Sequence, residues 1–130
     1  MEKVIVETKN REEFVDITRI LVERVAALGW ENGAVMLFCP HTTCGLTINE
    51  GADPDVRADM LRFFSEAAPR QHGWKHAEGN SDAHIKASLL GASLLIPLEG
   101  GRLCLGTWQS VYLFEGDGPR RRNVWLTLLG

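Results

Sequence analysis

SLLIPLEGGRLCLGTWQSVYLFEGDGPRRRNVWLTLL, residues Ser93 to Leu129, decides the fold. It holds three runs of β-favouring residues, Ser93–Leu98, Arg102–Phe114 and Arg120–Leu129, separated by turn chemistry at Gly100-Gly101 and at Gly116–Pro119. Such spacing predicts a C-terminal antiparallel β-meander. Immediately upstream, Ala83, Ile85, Ala87 and Leu89 predict a short helix that closes at Gly91, capped by Ser81 or Asp82 and projecting His84 and Lys86 from its first turns. Before it, Arg70–Asp82 has no apolar period and reads as a loop, longer than most connections in a compact domain.

Asp53 followed by Pro54 is an N-cap with proline at the first helical position, and Val56, Met60, Phe63, Phe64 and Ala67 mark one face of a main helix that Pro69 ends. Gly33–Pro40 and Cys44–Asn49 predict two strands, with His41 in the break between them. Asn10 with Glu13 resembles a capping box, and Phe14, Ile17, Leu21, Val25 and Leu28 follow at helical spacing until Gly29, so a helix of about four turns is expected. Lys3–Thr8 alternates as a strand. Helices come early and strands come late, which predicts an α+β fold with two main helices packed on sheet, and a single domain over residues 1–130.

Composition narrows the function classes. The chain has 130 residues, 45% hydrophobic and 24% charged, enough for one sizeable core without staples. Fourteen Lys plus Arg against seventeen Asp plus Glu give a net charge of −3, which disfavours a dedicated nucleic-acid binder. Apolar runs such as Val35–Cys39 and Ser93–Leu98 fall far short of the roughly 20 residues of a membrane helix, so no span is expected. The start, MEKVIVETKNREEF, lacks the layout of a secretory signal. Cys39, Cys44 and Cys104 contain no CxxC pair and predict packing residues in a reducing cytoplasm.

Four histidines, His41, His72, His76 and His84, carry the candidate chemistry. His41, His76 and His84 supply a three-ligand zinc set if the fold converges them, although no local zinc motif such as HExxH is present. The alternative is that His76 and His84 are solvated and His41 satisfies backbone groups at a strand end; His72 is expected to be a solvated loop residue. Glu78 and Asp82 flank the candidate ligands as general base or as acceptors that orient an imidazole, and Asp82 equally serves as a cap. Glu50, Asp53 and Asp55 offer oxygen ligands for Mg²⁺, yet Asp53 has a sufficient role as a cap. Ser81, the amides of a helix start and Lys86 suit a phosphate or carboxylate. Arg120, Arg121 and Arg122 enter a strand, so at least one points to a packed or intersubunit face unless the pairing bulges; an exposed-edge role is the alternative. Gln109 is the polar exception beside Trp108 and Tyr112.

HTTCGLTINEGADPDV, HAEGNSDAHIKASLLGAS and GRLCLGTWQSVYLFEGDGPRRRNVWL resemble, block for block and in order, the YjbQ (UPF0047) family over nearly the whole chain. The resemblance implies a homotrimer of a mixed, folded β-sheet with helices packed on it. It implies that His41, His76 and His84 gather in one zinc-binding pocket near a subunit boundary, lined also by Asn49, Glu50, Asn80, Lys86 and Gln109. Cys44 stands where alanine is expected, as a filler or an additional soft ligand. The family carries the activity name secondary thiamine-phosphate synthase, expected here as a weak side reaction.

Two functions follow. One is an enzyme whose zinc activates water or polarises a substrate oxygen, with Glu78 or Glu50 transferring the proton and Lys86 neutralising a small anionic metabolite. The other is a trimer that binds metal or metabolite without turnover.

Overall fold

The late strands are antiparallel, as their turns require, but they do not all lie side by side. The computed structural model describes residues 1–130 and contains, in chain order, β1 (Glu2–Glu7), β2 (Glu13–Asp16), α1 (Thr18–Leu28), β3 (Gly33–Phe38), β4 (Cys44–Glu50), α2 (Pro54–Ala67), α3 (Ser81–Leu90), β5 (Ser93–Glu99), β6 (Arg102–Leu103), β7 (Gln109–Glu115) and β8 (Arg121–Leu129). Five strands form one sheet in the order β1-β8-β3-β5-β6, and three form a second in the order β2-β7-β4. Every pairing is antiparallel. The expected long strand Arg102–Phe114 breaks after Leu103, so β6 stays with β5 while β7 crosses to the other sheet and β8 returns between β1 and β3. This is the α+β architecture expected, with its sheet folded into two layers.

Alternation explains the layers. Val4 and Val6 of β1, Val35 and Leu37 of β3, Ile96 and Leu98 of β5, and Val124 and Leu126 of β8 point inward and are buried. They meet Leu46, Val111 and Leu113 of the smaller sheet, and Ile17, Leu21 and Val25 at α1, in one cluster. β7 is buried on both faces, which is why its sequence is continuously apolar: Val111 and Leu113 face that cluster, whereas Tyr112 and Phe114 face Phe14 and the α2 residues Met60, Leu61 and Phe64. The outer face of the larger sheet is uncovered and leaves Ile5, Phe38, Leu95 and Leu129 exposed. No helix is long and apolar enough to cross a membrane.

Two local expectations need correction. The helix expected from Asn10 begins only at Thr18, because Glu13–Asp16 pairs with β7 and places Phe14 opposite Phe114. Glu13 does accept the backbone N–H groups of Lys9 and Asn10, at 2.6 and 2.9 Å, but this turn leads into a strand. At α3 neither Ser81 nor Asp82 is the cap; Asn80 occupies that position and its side chain makes no capping bond. Asp53 caps α2 as its sequence predicts, accepting from Asp55 N at 2.9 Å with Pro54 next to it.

Candidate functional site

The break between β3 and β4 fixes His41. Cys39 N donates to Ala92 O at 2.7 Å, and Gly116 N donates to Thr43 O at 2.9 Å, so both sides of the break are tied to neighbouring segments. Between them, His41 Nε2 accepts the backbone N–H of Asn123 at 2.9 Å. The ring is half-buried, and burial together with the nearby Arg122 guanidinium pushes its pKa below the usual histidine value. An Nε2 that accepts a hydrogen bond is unprotonated, so the neutral ring carries its proton on Nδ1.

α3 brings the second histidine. Gly45 lets the helix end lie directly on β4, since a Cβ there would stand 3.0 Å from Leu90 Cβ and 3.1 Å from Gly91 O. His84 therefore faces His41 across a recess of about 520 Å³ that Thr42, Cys44, Ala87 and Ser88 also line. On the other side of His84 lies a recess of about 380 Å³ lined by Trp74, Lys75, His76, Ser81 and Ile85. The His76 and His84 rings meet edge to face, with centroids 5.4 Å apart. Glu78 Oε2 stands 3.8 Å from His76 Nε2. His72 packs against Trp74, with ring centroids 5.1 Å apart, and shares a separate 570 Å³ recess with His76.

Asp82 and Lys86 belong to a different face of α3, about 200° around the helix from His84. Asp82 is fully buried and receives two hydrogen bonds from Arg11, at 2.9 and 3.0 Å, and one from Lys86 Nζ at 2.9 Å. Burial raises its pKa, but the bonds from Arg11 and Lys86 outweigh burial and hold the carboxyl well below the usual range. Lys86 also donates to Glu12, so its charge is compensated away from the histidines. Asn80 Nδ2 donates to Asp117 at 2.8 Å, and its Oδ1 is buried without a partner.

Asn49, Glu50 and Gln109 lie at the other end of the small sheet. β4 pairs Cys44 with Glu115 at one end and Glu50 with Gln109 at the other, which separates the two ends by about 20 Å of strand. Asn49 lines a recess with Thr47, Asp59, Met60, Phe63 and Leu90. The Glu50 carboxylate accepts Ala52 N at 3.0 Å, and Gln109 Oε1 accepts Gly106 N at 2.7 Å. Within one chain these residues and the three histidines do not share a cavity.

The profile of the UPF0047 YjbQ-like family matches residues 2–130. This chain belongs to the UPF0047 family. It is 48% identical to the UPF0047 protein YugU of Bacillus subtilis over 126 residues, which covers 96% of each chain. It is 44% identical to the UPF0047 protein MJ1081 of Methanocaldococcus jannaschii over 125 residues, covering 96% of this chain and 91% of that one. Among solved structures, it superposes on a YjbQ/UPF0047 protein from Clostridium acetobutylicum with a TM-score of 0.95 at 46% identity, covering 99% and 100% of the two chains. The conserved hypothetical protein TT1486 of Thermus thermophilus gives 0.91 at 52% identity, with coverage of 99% and 100%. These names fix family and fold; the chemistry has to come from this chain's own residues.

The UPF0047 chain does not by itself fit a three-histidine zinc site. No three His, Cys, Asp or Glu side chains converge closely enough to hold an ion. His41 commits its one free lone pair to Asn123 N–H, which leaves His76 and His84 as the adjacent pair of imidazoles. Glu50, Asp53 and Asp55 likewise form no three-carboxylate group for Mg²⁺.

Sequence inspection does not single out Glu115, which is fully buried. Arg122 donates to it through Nε at 2.8 Å and through Nη2; Thr8 Oγ1 donates at 2.7 Å and Asp117 N at 3.0 Å. Burial raises the Glu115 pKa, but these bonds, Arg122's first, win and bring it below the usual carboxylate value. Arg122 also donates to Thr43 Oγ1 at 2.8 Å, tying the pair to the His41 break. The visible signal was the acid closing the apolar run VYLFE. Of the other arginines, Arg120 pairs with Asp117 at 3.0 Å and Arg121 lies 3.4 Å from Glu7 on the exposed side.

Proposed function

We propose that this UPF0047 protein is a homotrimeric enzyme that takes a small phosphorylated or carboxylated metabolite into the two recesses around His84. The observation that carries this reading is that His84 is shared by both recesses, with His41 across one and His76 across the other. Lys75 supplies positive charge for an anion, and the Ser81 hydroxyl and imidazole N–H groups supply donors. Glu78, 3.8 Å from His76 and able to reach it through one water, is the proton-transfer group of this reading.

The exposed Ile5, Phe38, Leu95 and Leu129 on the larger sheet favour association with further copies. Asn49, Glu50 and Gln109 would enter such a site from a neighbouring copy. Zinc, in this reading, rests on His76 and His84 with remaining ligands from outside the single chain. The three free thiols accord with a cytoplasmic location. Thiamine-phosphate synthesis is a weak side reaction in this reading, because a diphosphate clamp is needed and Lys86 and Arg122 are already paired to carboxylates.

A second reading, binding without turnover, is favoured by Asp82 and Glu115 being locked in ion pairs rather than facing the recesses. Tag-free protein and His84→Ala are compared for zinc content, for pyrophosphate binding by calorimetry, and for phosphatase, esterase and thiamine-phosphate-forming turnover with and without zinc. Enzyme function predicts turnover in the parent that falls at least tenfold in the variant. Binding that falls equally, with no turnover in either protein, selects the second reading. Unchanged binding and metal content in His84→Ala refute both, and monomeric sedimentation at micromolar concentration refutes the trimer.

A further inference from the structure

Cys39 follows the last residue of β3 and Cys44 opens β4, so only the break through Pro40 and His41 separates them in the chain. Both are free thiols, both are buried, and both belong to the same core cluster. The segment Gly91-Ala92 holds them side by side: Cys39 N donates to Ala92 O at 2.7 Å, while Leu46 N, two residues beyond Cys44, donates to Gly91 O at 3.0 Å. Each thiol is the largest single influence on the other's proton affinity, lowering it at Cys39 and raising it at Cys44. Cys44 is also part of the wall of the 520 Å³ recess that His41 and His84 share, so a small solute entering it meets Cys44. Cys104 is exposed and lies on the β6–β7 connection, outside that cluster.

We propose that Cys39 and Cys44 are a reversible dithiol–disulfide couple, oxidised by hydrogen peroxide that enters through the His41–His84 recess. One sulfur attacks a peroxide oxygen, the O–O bond breaks, and the departing hydroxide leaves as water with the first thiol proton. The S–OH formed is attacked by the second sulfur; the S–S bond forms, the S–O bond breaks, and the hydroxyl leaves as water with the second thiol proton. Two thiols give up two electrons in all, and one peroxide becomes two waters. A dithiol reductant reverses the change by thiol–disulfide exchange. The sulfurs must close to about 2.05 Å across a short break between two strands. The bond would brace the segment that carries His41, so the oxidation state of the pair sets the stiffness of one wall of the recess. This inference does not depend on what the recess binds.

The test uses the full chain carrying Cys104→Ser, treated with equimolar hydrogen peroxide, denatured, alkylated and weighed. The expected result is a loss of 2 Da, with both thiols protected from alkylation and both restored by dithiothreitol. Cys104→Ser with Cys44→Ala should lose no hydrogen pair and should instead gain oxygen on Cys39 or stay unmodified. Cys104→Ser with Cys39→Ala gives the reciprocal control if one of these variants is unstable. Two alkylatable thiols after peroxide, or oxygen added to both cysteines without the 2 Da loss, would overturn the proposal.

Discussion

Replacing Arg122 with methionine removes the cation from a carboxylate that has no access to water. Glu115 is fully buried and takes four hydrogen bonds; Arg122 supplies two, and Thr8 and Asp117 N keep theirs. Removing one partner of a buried pair costs about 3–5 kcal/mol, because the charge left behind is uncompensated. For a domain of this size that corresponds to a fall in Tm of about 10–20 °C. Urea titration followed by tryptophan fluorescence measures it directly.

The pH dependence provides a second, signed readout. In the parent, Glu115 has a folded pKa below its ordinary 4.5, so its contribution is fully present above that value and is lost as pH falls through the folded pKa. In Arg122→Met the buried carboxyl loses its cation and its folded pKa rises above 4.5, so the variant gains stability as pH falls through that raised value. Converting both residues, Glu115→Leu with Arg122→Met, removes both charges and should recover most of the loss, short of the bonds from Thr8 and Asp117 N. A single-variant cost below about 1 kcal/mol, the scale of an exposed pair, or a double variant less stable than Arg122→Met, would refute the argument.

Phe14→Ala should cost about 3–5 kcal/mol, because Phe14 is buried with ring centroids 5.2 Å from Phe114 and 6.2 Å from Tyr112; a change under about 1 kcal/mol in urea unfolding would contradict the proposed role of β2. Gly33→Ala should destabilise by at least about 1–3 kcal/mol, since Gly33 has φ +126° and a Cβ there would stand 2.2 Å from Leu129 O; an unchanged Tm would be the contrary result. His41 should titrate below its ordinary 6.5 by NMR, with Nε2 unprotonated, and its neutral burial should make stability fall as pH drops from 6.5 through the lower folded value; a midpoint above 6.5 would exclude this environment.

Local signals in the sequence carried the elements whose partners lie close by. Asp53-Pro54 announced α2, Gly29 the end of α1, and the alternation of Val4 with Val6 announced β1. β2 was not legible because Phe14, Ile17, Leu21 and Val25 repeat at helical spacing, whereas Phe14 is claimed by an aromatic cluster assembled from β7 and α2. The meander was half legible: turn residues locate strand ends, but nothing local says that β7 leaves its neighbours for another layer. At the candidate site, loop and break placed His41, His76 and His84, while the closeness of His84 to both others depends on Gly45 admitting α3 onto β4. Asp82 and Lys86 stand four apart on one helix, so their pairing was written in the spacing; their burial was not, because Arg11 and Glu12 arrive from 70 residues away or more. Arg122 was legible as one of three arginines of which at least one should face a packed surface, but its partner Glu115, across a turn and in the other sheet, was not.

β8 is hydrogen-bonded to β1 on one side and to β3 on the other, so Val4 finds Val124 and Leu37 finds Leu126 through the same strand. During synthesis β1 therefore waits for β8, which is made more than a hundred residues later. Until Arg121–Leu129 has cleared the ribosome, β1 and one edge of β3 expose unpaired amides and half of a hydrophobic face, a window in which a chaperone or a neighbouring nascent chain competes with β8 for both edges.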